Sequence, residues 1–304
     1  MLRSLLAAAA AMVLAVPAFA QAPGGKIVLY TSQLQQDAQQ TVDEFRKVYP
    51  GVTVDWSRDG TTQLVNKLRA EIAAGSPQPD VLLLADAMTM EALKRENRLA
   101  RYPEAKTDGF PPGAHDPEKA YFATKFITTG IVYNKAAPVK PESWADLIKP
   151  ELKGQLIMPS PLYSGAAAIH MGVLTRTQGY GWPYYEALAK NGTQAVAGNG
   201  AVFDAVASGQ KLYGVLVDFL AIRNKLKGSP IEFVFPRDGV TVVTEPVAIW
   251  APGFSSGCAS ARMTRAAISR RSSSIQSGVW AGVSSFGFNC SSRRIAGNSA
   301  LRGA

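Results

Sequence analysis

The sequence predicts an α/β fold in which a mostly parallel sheet carries helices on both faces, and three observations support that expectation. Short β-branched and aromatic runs alternate with segments of helical period from Lys26 to Trp250. The run Val81 to Leu84 is continuously apolar, as a strand covered on both faces should be. Residues 21–250 contain no cysteine, so the fold must rest on an ordinary hydrophobic core.

Each element can be justified in order. Lys26 to Tyr30 is a strand, and the apolar positions Val42, Phe45 and Val48 mark a following helix. Val52 to Trp56 alternates as a second strand. Asp59-Gly60-Thr61-Thr62 then offers helix-starting residues before a face of Leu64, Leu68 and Ile72. Phe126 to Asn134 is apolar and long enough to pass between two lobes, and Ser143 to Leu147 reads as a short capped helix. Gln155 to Met158 is a strand, and Ser164-Gly165 opens an apolar helix that runs past His170. Gly200 to Val206 begins another helix; Tyr213 to Val217 and Ile231 to Phe235 are strands; Val240 to Trp250 returns the chain to the first lobe.

Both ends of the chain depart from this pattern. Met1-Leu2-Arg3, the apolar run from Leu5 to Val16 and Pro17-Ala18-Phe19-Ala20 have the parts of a secretory signal cleaved after Ala20, which places the mature protein in the periplasm. Residues 251–304 hold seven arginines, no lysine, no acid and both cysteines, Cys258 and Cys290. This composition fits a shifted reading frame beginning near residues 251–256, with an authentic divergent tail as the alternative, and the cysteines read as incidental. Removing the tail arginines and Arg3 from the 32 basic residues leaves 24 against 23 acids. The body is therefore nearly neutral, and a nucleic-acid partner is not expected.

Ligands of open α/β sheets bind beyond the carboxyl ends of the strands. Thr31-Ser32, Gly60-Thr61, Ser164-Gly165-Ala166 and Asn199-Gly200 fall there, and helix starts of this kind present backbone N–H groups to an anion. Each can equally be a simple cap or turn.

In order and spacing, LYTSQ, the helix after DGTT, PQPDVLLLAD, TTGIVYN, SWADLIKPELKGQLIMPSPLYSGAA, GNGAVFDAVASGQ, YGVLVDF, GSPIEFVFPRDG and TEPVAI resemble the periplasmic solute-binding proteins of ABC transporters, in the group that contains ferric-iron, phosphonate and sugar-phosphate binders. The resemblance implies two α/β lobes joined by a hinge, residues 21–127 with the return segment 240–250 and residues 128–239, closing around a ligand. It also implies a non-enzymatic, monomeric protein without cofactor that delivers its ligand to a permease in the inner membrane.

The family's ferric-iron binders place two tyrosines after the strand that here reads Gly214-Val215-Leu216-Val217; this chain has Leu220 and Ala221 at those positions. Their histidine falls at Leu34 and their acidic ligand near Ala85, so ferric coordination, which needs hard donors, becomes the alternative reading. The residues that hold a phosphate-like anion in the family match Ser164, Gly165, Ala166 and Asn199. Asp86 and Asp218 are then candidates for a cationic or hydroxyl-bearing end of a phosphonate or phosphorylated ligand. An exported hydrolase is the alternative of another class. It lacks support, since His115 and His170 are the only histidines, His170 lies on an apolar face, and Ser164 is in no nucleophile elbow.

Overall fold

A computed structural model describes residues 24–251; the leader segment, the arginine-rich tail, Cys258 and Cys290 lie outside them. Strand β1 (Gly25–Thr31) runs parallel to β2 (Val52–Arg58) and to β3 (Val81–Leu83). Helix α1 (Gln35–Val48) links the first two and α2 (Thr61–Ala73) the next two, the right spacing for βαβ crossovers. Leu64 and Leu68 of α2 are buried against Tyr30 and Leu82, which fixes that helix on one face of the sheet. Val42 of α1 packs with Leu29, Val54 and Leu83 in a separate cluster on the other. Helix α3 (Ala87–Arg95) and the two-residue β4 (Leu99–Ala100) complete this lobe.

Two long strands, β5 (Tyr121–Asn134) and β10 (Thr241–Trp250), pass between the lobes as an antiparallel pair. At its far end β10 pairs with β3, while the other half of β5 pairs with the second lobe's strands. The ladder between them is interrupted by a bulge between Thr244 and Pro246, where proline has no N–H to offer. The expected parallel sheet is therefore mixed: within each lobe the helix-linked strands are parallel, and the crossing strands run antiparallel to them.

The second lobe repeats the scheme. Strand β6 (Leu156–Pro159) lies parallel to β7 (Gln194–Val196) and β8 (Tyr213–Val217), and β9 (Ile231–Val234) pairs with β5. Its helices are α4 (Gly165–Leu174), α5 (Gly181–Lys190), α6 (Asn199–Ala207) and α7 (Asp218–Leu226). The short Ser143–Leu147 helix is a 3-10 turn over Trp144–Ile148, held by the reciprocal bonds of Ser143 and Asp146. Leu34 and Ala85 of the first lobe pack against the second lobe's core beside Ala166, Val217 and Leu220, so the lobes stand closed on one another.

Candidate ligand-binding cleft

Where the lobes meet, they leave a partly open cavity of about 60 Å³. From the second lobe it is lined by Ser164 and Ala166 at the start of α4 and by Gly198 and Asn199 at the start of α6. Both helices begin here for local reasons. The Ser164 hydroxyl accepts from the Ala167 N–H at 3.3 Å, and Gly198 precedes α6 in extended backbone. Asn199 holds the two starts together, its Nδ2 donating to Ser164 Oγ at 3.5 Å while its Oδ1 accepts from the Val217 N–H at 3.3 Å. Two positive helix ends thus converge on one space.

The first lobe contributes Ser32, Gly60 and Thr61, together with a residue that sequence reasoning missed, Arg58. Arg58 is the last residue of β2, and its Nε donates to the Gln33 carbonyl at 2.8 Å while Nη1 donates to Tyr163 Oη at 3.4 Å. Burial and a hydrogen bond to Asp59 push the Tyr163 phenol up from its ordinary value, so it stays protonated near neutral pH. The only available signal for Arg58 was a cation placed directly before the helix-starting Asp59-Gly60-Thr61.

The loop after β6 rests on the start of α2. Thr62 N donates to the Tyr163 carbonyl at 3.3 Å, and Gln63 Nε2 to the Leu162 carbonyl at 3.0 Å. One of the α2 N–H groups expected to face an anion is thus occupied by the opposite lobe.

Four of the sequence-derived site residues do not line the cavity. Thr31 is fully buried, its hydroxyl accepting from the Gln33 N–H at 3.2 Å. Gly165 lies at the lobe contact itself, facing Ala85 and Thr61. Asp86 caps α3, accepting from the N–H groups of Met88 and Thr89. Asp218 accepts from the Thr128 hydroxyl at 2.6 Å and from the Phe219 N–H at 2.7 Å. Both aspartates look free in a sequence because they follow strands, yet each opens a helix whose orphan donors engage it.

The acid that does line the cavity is Glu245, in the β10 bulge. Its Oε2 accepts from Gln33 Nε2 at 3.0 Å and lies 3.2 Å from both Thr124 Oγ1 and Lys125 Nζ. Leu220 and Ala221 are buried in the second lobe's core, so no phenol stands at either position. Tyr184 is buried in a different cluster and donates to the Trp144 carbonyl at 2.9 Å. Among the described residues no three His, Cys, Asp or Glu side chains group as metal ligands. Nor is any helix among them long and apolar enough to cross a membrane.

Two α/β lobes that share a pair of crossing strands thus meet around a small cavity lined from both sides. The sequence profile of the bacterial extracellular solute-binding protein matches residues 76–249, and the chain belongs to that family. Among solved structures it is similar to the periplasmic binding protein AfuA from Actinobacillus pleuropneumoniae with exogenous fructose-6-phosphate bound, at 21% identity and TM-score 0.69 over 81% of this chain and 79% of that one. The substrate-binding protein of an ABC transporter from Agrobacterium tumefaciens aligns with TM-score 0.71 at 17% identity, over 84% and 75% of the two chains. Iron-bound HitA from Pseudomonas aeruginosa aligns with TM-score 0.66 at 18% identity, over 83% and 84%. No curated protein matches the chain.

Proposed function

We propose that this protein is the substrate-binding component of an ABC importer, which captures a small organic anion, a phosphonate or phosphorylated compound, and presents it to a permease in the inner membrane. The observation that carries this reading is the convergence of the α4 and α6 starts with the Arg58 guanidinium on one cavity. Helix N-termini and a forked cation suit a phosphoryl group, because they supply several N–H donors and a positive potential. AfuA, whose structure contains fructose-6-phosphate, shares the fold and is consistent with this ligand class. Apolar Leu220 and Ala221 weigh against the ferric-iron alternative that similarity to HitA would suggest.

The working unit is a monomer exported to the periplasm after cleavage at Ala20, without cofactor or catalytic activity. Lobe 1 comprises 21–127 with 240–250, and lobe 2 comprises 128–239. Calorimetric titration of the exported protein with inorganic phosphate, organic phosphates and ferric citrate tests the reading. Binding of phosphoryl compounds that weakens in Arg58→Gln supports it; binding of ferric citrate alone overturns it.

A further inference from the structure

The far side of the cavity carries Glu245, ion-paired with Lys125, in place of the two aspartates. Resting on the phosphoryl-anion reading of the cleft, we propose that the ligand's other end bears hydroxyl groups rather than an amine, and that Glu245 recognises it while the Lys125 charge paired with Glu245 keeps a cation out. Glu245 is 2% exposed and receives Gln33 and Lys125 on one oxygen, Oε2, while the Thr124 hydroxyl, 3.2 Å from the same oxygen, donates to the Glu245 carbonyl at 2.8 Å. That arrangement leaves Oε1 to meet whatever fills the cavity that Glu245 lines. Gln33 cannot turn to replace it, because its Oε1 already accepts from Thr41 Oγ1 at 3.0 Å, which fixes Nε2 as the group facing Glu245.

Lys125 decides between the two kinds of ligand. Its Nζ sits 4.2 Å from the ring centroid of Phe219, another residue of the cavity wall. An incoming ammonium drawn to Glu245 would therefore enter beside an ammonium already there, and like charges at such range disfavour each other strongly in a partly dry site. A hydroxyl avoids this conflict, since it is uncharged and donates to the carboxylate. The cleft then has an anion pole at Arg58 and the helix starts, and a hydroxyl pole at Glu245. The matching ligand class is a small phosphorylated polyol or hydroxyalkyl phosphonate.

The test is calorimetric titration of the exported full chain with three probes: glycerol 3-phosphate, 2-aminoethylphosphonate and inorganic phosphate. Glycerol 3-phosphate should bind at least about tenfold more tightly than 2-aminoethylphosphonate. Glu245→Gln should weaken glycerol 3-phosphate by about tenfold and inorganic phosphate by less than about twofold. Lys125→Met, which frees the carboxylate for an amine, should shrink or invert the preference for glycerol 3-phosphate. A merely structural ion pair would weaken all three probes together in both variants, and that result overturns the proposal. So does a wild-type preference for 2-aminoethylphosphonate. Inorganic phosphate binding without discrimination between the organic probes leaves the anion reading standing and removes this one; failure of all three probes removes both.

Discussion

A β-carbon on Gly165, at the start of α4, would lie 2.7 Å from the carbonyl oxygen of Ala85 in the opposite lobe. No ordinary side chain fits there while the lobes are closed. Gly60 stands in the same relation to Tyr163, with 2.5 Å between its would-be β-carbon and the carbonyl oxygen. Each lobe thus presents a glycine to the backbone of the other, which lets the two surfaces approach closely.

Gly165→Ala should accordingly prop the cleft open. Alanine favours the helix intrinsically, by up to about 1 kcal/mol, so thermal stability should hold or rise. Small-angle scattering in the presence of ligand should show a larger radius of gyration than wild type, with affinity reduced by about tenfold or more. Unchanged affinity would mean that the Gly165 contact is not needed for capture.

The lobes are also joined by charge, through Arg223 Nη1 of α7 and Asp37 Oδ1 of α1 at 2.6 Å. Asp37 is 14% and Arg223 31% exposed, so the pair is less screened than an open surface bridge. Asp37→Asn should weaken ligand binding several-fold, on the order of 1 kcal/mol, by destabilising closure alone. Raising salt should weaken the wild type toward the variant and leave the variant less affected.

The strands were legible in the sequence because their chemistry is local. The VLLL run became β3 and its adjoining buried Leu84, and YGVLV became β8, since apolar β-branched stretches admit few other placements. The cleft was legible only where it is built from helix starts. Ser164, Ala166, Asn199, Gly60 and Thr61 carry their signal in residue type and neighbourhood. Arg58 carries only its place directly before a helix start, at the end of an alternating strand, and Glu245 faces the cavity through a bulge set by pairing with β5, a partner more than a hundred residues away. Asp86 and Asp218 misled because position after a strand suits both a ligand contact and a helix cap, and the nearest N–H groups are always closer than a ligand.

Asp86 therefore serves stability. Replacing it with alanine leaves the Met88 and Thr89 N–H groups without their acceptor and should cost about 1 kcal/mol in denaturant unfolding. Ligand affinity should stay within about twofold. A large affinity loss at unaltered stability would return Asp86 to the cleft.

His170 should give the protein a measurable sensitivity to acid. It is 2% exposed beneath Trp144, with ring centroids 4.4 Å apart, and burial lowers its pKa from 6.5 to about 4. Between those values the unfolded chain binds a proton that the folded one does not, so unfolding is favoured as pH falls. The stability contribution is complete above pH 6.5, declines through the window, and is exhausted below about pH 4. Its full size is on the order of 3 kcal/mol, at 1.36 kcal/mol per pKa unit. Urea unfolding of wild type and His170→Phe at pH 7.5 and 4.5 reads this directly. Phenylalanine retains the ring contact with Trp144 but gives up the 3.2 Å hydrogen bond to Thr241, so the variant should be less stable at pH 7.5. It should nonetheless lose less stability than wild type on moving to pH 4.5. Equal losses in the two proteins would show that the acid sensitivity arises elsewhere.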